Sequence, residues 1–349
     1  MTDKKISVAV NGYGVIGKRV ADAVKLQPDM ELVGVADVVS DYRVQAGAVL
    51  GLPIFASLPD KVDEMKNAGI PIKGTLSDLL PQVDVVVDCT PKGIGAKNLE
   101  RYREVGVKAI YQGGEKHSLT GHSFVAQANY ASALGRDATR VVSCNTTSTV
   151  RTLLALRDAG LLKKARGVLM RRATDPWESD HSGIMNTIVP EPHIPSHQGA
   201  DAQTVVPDLD VVTIAAKASH TQTHNHYWIV EMTREASREE VVAAFSAAPR
   251  IAFIRMADGI VALNSTIELM KDLGRPRGDM WEVALWEDVL TVNGNELYYT
   301  YQVYNEAIVV PETVDAIRAL TGTVKDGRES MRITDEAMGM RGDFLIDAT

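Results

Sequence analysis

The stretch Ile6-Ser7-Val8-Ala9-Val10-Asn11-Gly12-Tyr13-Gly14-Val15-Ile16-Gly17 decides the fold, because a short apolar run leads directly into glycines spaced as GxGxxG. The run over residues 6–10 predicts a buried strand, and residues 15–26 have the apolar spacing of a helix. A glycine motif in this strand-to-helix context is far more specific than the motif alone. The sequence therefore predicts the first turn of a sheet covered by helices.

The three glycines of this turn have separate tasks. Gly12 permits a tight turn, Gly14 lets an anion approach the backbone, and Gly17 allows the helix to pack closely on the strand. The first N–H groups of the helix, at Val15 and Ile16, have no partner within the helix and can bind a pyrophosphate. We predict a dinucleotide-binding loop; the alternative is a glycine-rich turn that binds nothing.

Asp37 lies 20 residues after Gly17, at the end of the second predicted strand. A carboxylate in that place accepts hydrogen bonds from the ribose hydroxyls of the adenosine half and favours NAD. Arg43 lies close by in sequence and could offset the negative charge, so NADP remains an alternative cofactor.

Short β-branched runs alternate with helical segments up to residue 143, which predicts a Rossmann-type, doubly wound parallel sheet. Beyond that residue, strand-like runs are separated by longer connections, and Asn293-Gly294 is typical of a hairpin turn. We predict an α/β chain with a dinucleotide-binding domain over residues 1–143 and an α+β catalytic domain with a mixed or antiparallel sheet over 144–310. The C-terminal helical segment, 311–349, is expected to pack back onto the first domain.

The composition limits the classes of partner. The 349 residues carry a net charge of -8 without a basic block, which argues against nucleic acid and membranes as partners and favours small molecules. The two cysteines are too few for a disulfide framework or a cysteine-based zinc site, so no metal site is predicted. Neither a signal peptide nor an apolar run of roughly 18 residues is recognisable, and a cytoplasmic location is expected.

Cys144 precedes a segment with apolar residues at i, i+3 and i+4, the spacing of a helix. The hydroxyls of Thr146, Thr147 and Ser148 are candidates for its N-cap. A cysteine at a helix start faces the positive end of the helix dipole, which stabilises the thiolate and makes a nucleophile near neutral pH. The alternative, a small buried hydrophobe, fits Cys89 better but stays open for Cys144.

Several longer strings occur in order along nearly the whole chain: NGYGVIGKRVADAV, CTPKGIGAKN, YQGGEK, FVAQANY, RVVSCNTTSTVRTL, RRATDP, PSHQGADAQTV and HNHYWIVEM. In order and spacing they resemble the archaeal branch of the glyceraldehyde-3-phosphate dehydrogenase family, and SCNTT is the most specific of their motifs. The resemblance implies that Cys144 is the nucleophile. It also implies that the neighbouring Ser143, Asn145, Thr146 and Thr147 contact the substrate.

The resemblance implies roles for residues of the second domain as well. His224, in the His224-Asn225-His226 pair, matches the general base. Neighbours on a strand point to opposite faces, so only one of Arg171 and Arg172 can face the site. The resemblance favours Arg172 for binding a phosphate of cofactor or substrate. Of the substrate-binding pair His197 and Gln198, the glutamine departs from the histidine usual in the family.

Two cofactor contacts are implied by the resemblance alone. Asn305 matches the residue that fixes the nicotinamide carboxamide, and Gly113 matches a backbone contact with the cofactor. The activity implied is oxidation of glyceraldehyde 3-phosphate through a thioester on Cys144, with NAD or NADP as hydride acceptor. Inorganic phosphate then releases 1,3-bisphosphoglycerate, and a homotetramer is expected. The alternatives are a related semialdehyde dehydrogenase and a dinucleotide-dependent regulatory protein with Cys144 as a redox sensor.

Overall fold

The computed structural model describes residues 4–112, 114–174 and 187–345. By its internal contacts the chain divides into two units. The described parts of Met1–Ser143 and Val309–Gly339 form the first, and those of Cys144–Ile308 and Met340–Thr349 form the second. The chain therefore leaves the first unit after Ser143 and returns to it only at Val309.

The first unit is built on eight strands that all pair in parallel. They are β1 (Ile6–Asn11), β2 (Met30–Asp37), β3 (Ile54–Ala56), β4 (Ile72–Thr75), β5 (Val85–Asp88), β6 (Lys108–Tyr111), β7 (Ser123–Phe124) and β8 (Ala138–Val141). Their order is β4-β3-β2-β1-β5-β6-β8-β7, so the winding direction reverses between β1 and β5. The prediction of a doubly wound parallel sheet is confirmed, and ligands of such sheets bind at the carboxyl ends of the strands beside this reversal.

Eight helices belong to the described part of this unit. They are α1 (Val15–Leu26), α2 (Tyr42–Val49), α3 (Val62–Asn67), α4 (Leu76–Leu79), α5 (Ile94–Val105), α6 (Ala126–Ala133) and, from the end of the chain, α11 (Val309–Thr321) and α12 (Gly327–Met338). The central strand β5 is buried along its whole length, as expected for a strand with both faces covered.

Arg318 on α11 joins the two C-terminal helices to the rest of this unit. Its side chain is fully buried, and its guanidinium donates to both carboxylate oxygens of Asp29 and to Gln27 Oε1 at 2.7–2.8 Å. It also donates to the hydroxyl of Thr334 on α12 at 2.6 Å. A buried guanidinium is stable only when its donors are satisfied, so this cluster fixes α11 and α12 beside the turn between α1 and β2.

The second unit contains a mixed sheet, in the order β10-β11-β9-β12-β16-β14-β13, with β15 paired to β16. Its elements are α7 (Cys144–Asp158), β9 (Leu162–Arg172), β10 (Val189–Pro190), α8 (His197–Gln203), β11 (Val211–Ala218), β12 (His224–Met232), α9 (Arg238–Ala247), β13 (Ile251–Ile254), α10 (Leu263–Asp272), β14 (Val283–Trp286), β15 (Thr291–Asn293) and β16 (Glu296–Val303). Two pairs are parallel, β9 with β11 and β13 with β14, and the others are antiparallel. The predicted mixed sheet is confirmed. Within the described ranges, no helix is both long and apolar enough to cross a membrane.

Candidate active site

The GxGxxG turn lies at the carboxyl end of β1, where α1 begins. Gly12 has a φ of +94°, and a Cβ at this position would lie 2.8 Å from the backbone of Cys89. A Cβ on Gly17 would lie 1.8 Å from the carbonyl oxygen of Gly12, so neither position accepts a side chain. At Gly14, the N-cap of α1, a Cβ would meet no described atom within 4 Å. The backbone therefore turns tightly and leaves open space at Gly14, before the N–H groups of Val15 and Ile16, and this arrangement fits a bound pyrophosphate.

Asp37 ends β2 beside this turn. Its Oδ2 accepts the N–H of Tyr13 at 2.6 Å, and its Oδ1 accepts the N–H of Val38 at 2.7 Å. The carboxylate is thus fixed against the glycine turn, where a ribose of the dinucleotide would be bound.

Cys144 is the first residue of α7, and nearly the whole of that helix is buried. The proposed caps are wrong, because the helix begins before them. Ser148 and Thr149 donate their hydroxyls to the carbonyl oxygen of Asn145 at 2.8–3.0 Å, and Thr146 donates to Asp201 Oδ2 on α8 at 2.7 Å. Ser148 and Thr149 are therefore satisfied inside the helix and Thr146 by α8, which reduces the cost of starting a polar segment in the interior.

Burial changes the acidity of the thiol from the value expected at a helix start. Desolvation raises the pKa of Cys144 to about 11, while the charges of Arg172 and Arg171 and the N–H of Asn145 act in the opposite direction. A raised pKa means that the thiol, and not the thiolate, is the resting form near neutral pH. Burial thus outweighs the favourable effect of the helix start in the ligand-free protein.

The two histidines of β12 face α7, because residues two apart on a strand share a face. His226 is fully buried, and its Nε2 lies 2.9 Å from Asn145 Oδ1, while its Nδ1 lies 2.9 Å from the hydroxyl of Tyr301. Burial lowers the pKa of His226 to about 3, so its ring is neutral. A neutral ring donates from Nε2 to Asn145 and accepts the Tyr301 hydroxyl at Nδ1, which connects β12 to the residue after Cys144.

His224 lies at the start of the same strand and is also buried. Its Nδ1 accepts the backbone N–H of Arg172 at 3.0 Å. Burial, with the neighbouring His226 and Arg172, lowers the pKa of His224 well below its ordinary value. The neutral ring therefore carries its proton on Nε2, so it is set to donate from that atom. Accepting a proton, the role of a general base, would require the other tautomer.

The two adjacent arginines at the end of β9 are engaged by different carboxylates. Arg171 pairs with Glu191, whereas Arg172 pairs with Glu306 at 2.5 Å in a largely buried contact. Oε2 of Glu306 is buried and has no hydrogen-bond partner among the described residues. The sequence analysis did not single out Glu306. The available signal was its position directly before an apolar run, because a charged residue in such a place is often buried and paired.

The remaining site residues differ in burial. Gln198 on α8 is fully buried, and within the described ranges neither its Nε2 nor its Oε1 has a hydrogen-bond partner. The hydroxyl of Thr147 and Oδ1 of Asn305 share this property. His197, by contrast, is exposed at the first position of α8, and Ser143 precedes α7 in a half-buried position. Gly113 lies outside the described residues, so its predicted cofactor contact stays a prediction.

Two family models match separate parts of the chain. Residues 6–113 match the N-terminus of dihydrodipicolinate reductase, and residues 143–276 match the C-terminal domain of glyceraldehyde 3-phosphate dehydrogenase. Together with the glycine turn, these matches define an oxidoreductase that uses a nicotinamide dinucleotide.

Curated relatives match over almost the full length. A glyceraldehyde-3-phosphate dehydrogenase of Methanobrevibacter smithii is 45% identical over 96% of this chain and 99% of its own. Those of Archaeoglobus fulgidus and Methanothermus fervidus are 46% and 42% identical over 96% of this chain, and over 98% and 99% of their own. The chain belongs to the glyceraldehyde-3-phosphate dehydrogenase family, so the predicted family is confirmed.

The raised pKa of Cys144 predicts how the thiol reacts in the ligand-free protein. Below its pKa the thiolate fraction grows tenfold per pH unit, so alkylation by iodoacetamide should accelerate about tenfold per unit between about pH 7 and 10. Stopped samples analysed by mass spectrometry give the rate, and a Cys89→Ala background assigns it to one thiol. A rate that levels off below about pH 8 would contradict the dominance of burial.

Proposed function

We propose that this chain is a phosphorylating glyceraldehyde-3-phosphate dehydrogenase, which converts D-glyceraldehyde 3-phosphate to 1,3-bisphosphoglycerate with NAD or NADP as hydride acceptor. The observation that carries the proposal is the position of Cys144 at the start of a buried helix, beside Asn145, which contacts His226 of the histidine pair on β12. The named activity of the relatives supports the substrate.

The proposed chemistry begins at the Cys144 sulfur. As the thiol loses its proton to solvent, the sulfur bonds to the aldehyde carbon and the carbonyl oxygen becomes an alkoxide. His224 donates its Nε2–H to that oxygen, which stabilises the developing charge. A bound nicotinamide would supply the hydride acceptor, and loss of the hydride from the carbon bonded to sulfur would leave a thioester on Cys144.

The second half of the reaction releases the product. An oxygen of inorganic phosphate attacks the thioester carbon, the C–S bond breaks, and the sulfur leaves as the thiolate. Arg172 is proposed to bind a phosphate of cofactor or substrate, since its guanidinium is mostly buried and is held in place by Glu306. Glu306 thus acts as a positioning residue for Arg172.

Phosphate binding needs donors that are not already committed. Gln198 Nε2 and the hydroxyl of Thr147 fit best, because both are buried without a partner among the described residues. Thr146 and Asn145 are engaged with Asp201 and His226, so we assign them the placement of α7 and a secondary part in substrate contact. Ser143 and the exposed His197 complete the proposed substrate set.

Cofactor binding is proposed at the glycine turn, through Gly12, Gly14, Gly17 and the N–H groups of Val15 and Ile16, with Asp37 on a ribose. Asn305 is proposed to accept an N–H of the nicotinamide carboxamide through its Oδ1, which has no partner in the described part of the chain. The regulatory alternative has less support. Redox-sensing cysteines combine exposure with a low pKa, whereas burial raises the pKa of Cys144.

A spectrophotometric assay tests the function directly. With glyceraldehyde 3-phosphate, inorganic phosphate and NAD or NADP, we expect phosphate-dependent formation of the reduced nicotinamide. Unphosphorylated glyceraldehyde should react at least about 100-fold less efficiently, because the buried donors would lose their partner. Cys144→Ser should lower kcat by about 1000-fold or more, since a hydroxyl is the poorer nucleophile.

The matched control for this assay is Cys89→Ala, which removes the other cysteine. This variant should retain activity within about twofold, because Cys89 takes no part in the proposed chemistry. A protein that is inactive with glyceraldehyde 3-phosphate but reduces NAD with another semialdehyde would refute the substrate assignment.

The tautomer of His224 predicts an unequal effect of two substitutions. The amide of glutamine can place an N–H where Nε2 lies, so His224→Gln should keep part of the stabilisation of the oxygen, whereas His224→Ala should lower kcat by about 100-fold or more. We expect the glutamine variant to be about tenfold faster than the alanine variant. Equal losses in both, measured by steady-state kinetics, would identify His224 as a base instead.

A homotetramer is proposed for the assembled enzyme, on the evidence of the outer face of the mixed sheet. Ile214, Val168 and Tyr227 are paired in register across three neighbouring strands, and each is 43–50% exposed. Ile229 continues this row beside a cleft of about 610 Å³. An apolar face of this kind can pack on the same face of a second copy, because two-fold contacts are self-complementary.

Light scattering tests this assembly. We expect the mass of four chains for the unmodified protein and a smaller mass for Tyr227→Asp, because a buried, unpaired carboxylate disfavours association. Val49→Asp, a like change at an exposed apolar residue on α2, should leave the mass unchanged. A single-chain mass for the unmodified protein would exclude the proposed contact.

A further inference from the structure

The loop between β2 and α2 contains two carboxylates, Asp37 and Asp41, with different partners. Asp37 receives three backbone N–H groups, from Tyr13 at 2.6 Å, Val38 at 2.7 Å and Val39 at 3.3 Å. An ionised carboxylate can accept about four hydrogen bonds, so capacity remains for a ribose hydroxyl. Each of these donors fixes the carboxylate at the glycine turn without neutralising its charge.

Asp41 has a different task. It is the N-cap of α2, where its Oδ1 accepts the backbone N–H of Arg43 at 3.0 Å. The guanidinium of Arg43 donates to the same side chain, from Nε to Oδ1 and Oδ2 at 3.0 Å and from a terminal nitrogen to Oδ2 at 2.5 Å. The hydrogen bond with Asp41, together with the charges of Asp41 and Asp37, raises the pKa of Arg43. Arg43 is therefore close enough to Asp37 to feel its charge, yet its own charge is balanced by Asp41.

These contacts bear on the 2′-phosphate that distinguishes NADP from NAD. A Rossmann site binds a 2′-phosphate by placing an arginine nearby, and a carboxylate at the end of the second strand repels it. In this chain the carboxylate is present and the arginine is bound by another carboxylate. Both features disfavour the additional phosphate.

We propose that the chain selects NAD over NADP through these two carboxylates: Asp37 accepts the ribose hydroxyls, and Asp41 occupies Arg43, the cation that would otherwise pair with a 2′-phosphate. The inference rests on the proposed function only for the identity of the cofactor class. It assigns Asp41 as a positioning residue that acts through Arg43.

Calorimetric titration of the purified protein with NAD and with NADP tests the inference without any catalytic step. The unmodified protein should bind NADP at least about tenfold more weakly than NAD, because like charges are brought together. Asp41→Asn keeps an N-cap acceptor but releases Arg43, and should tighten NADP binding by about tenfold while the affinity for NAD stays unchanged. Asp37→Ser should weaken NAD and tighten NADP.

Glu64→Gln is the matched control, because Glu64 accepts the Ser40 hydroxyl in the same loop but does not contact Arg43 through any described hydrogen bond. It should leave the ratio of the NADP and NAD dissociation constants within about twofold of the unmodified protein's ratio.

An equal gain in NADP affinity from Glu64→Gln would assign the effect to net charge and overturn the role of Arg43. Equal or tighter binding of NADP by the unmodified protein would overturn the selectivity itself. Selective NAD binding by a protein inactive with glyceraldehyde 3-phosphate would support this inference while refuting the proposed function.

Discussion

The hydrogen bond between His226 and Asn145 is the interaction on which the candidate site of the second unit depends. It joins the strand that carries His224 to the helix start that carries Cys144, and it forms in the interior, where an unpaired amide or imidazole would be costly. The Tyr301 hydroxyl fixes the other ring nitrogen, so the orientation of the imidazole is determined from both sides. A neutral ring is required for this pair of contacts, and burial ensures that the ring is neutral.

The same burial sets the electrostatics of the reacting groups. It raises the pKa of the Cys144 thiol and lowers the pKa of His224, so both are uncharged at rest. In the proposed reaction, charge then appears at the sulfur and at the substrate oxygen. Fixed donors and the nearby arginine cations act most strongly in such a desolvated place, because the local dielectric constant is low. Burial thus lowers the reactivity of the resting Cys144 thiol. It also makes the fixed donors more effective at stabilising the charged sulfur and oxygen of the proposed reaction.

The sequence predicted the elements whose signal is local. The first strand, the glycine turn, the helix after it and the Asn293-Gly294 hairpin all appear where periodicity or turn chemistry indicates them. The short strands β3 and β7 were not predicted, because two or three residues carry no period. The start of α7 was misplaced for a related reason: capping hydroxyls were assumed, whereas the helix already begins at Cys144, and the hydroxyls of Thr146 and Ser148 bond to Asp201 and to the carbonyl oxygen of Asn145 instead. The pairing of Arg172 with Glu306 and the tautomer of His224 are products of tertiary contacts, which a residue pattern does not contain.

The distribution of satisfied and unsatisfied polar groups separates structural from ligand-binding residues. Behind the glycine turn, Asn11 donates to the Tyr102 hydroxyl, which donates to Asp88. Such a complete network makes a rigid support.

In the second unit, polar atoms of Thr147, Gln198 and Asn305 are buried without partners among the described residues. Missing partners alone do not mark a site, since Trp228 Nε1 is also buried without one among the described residues. The three residues differ in their positions. Thr147 lies on α7 three residues after Cys144, and Gln198 lies on α8, which bonds to α7. Asn305 follows β16, whose last residue pairs with His224. The desolvation cost of their polar atoms would be offset if a ligand supplied the missing hydrogen bonds, so in the proposed function the same atoms that destabilise the free protein contribute to substrate affinity.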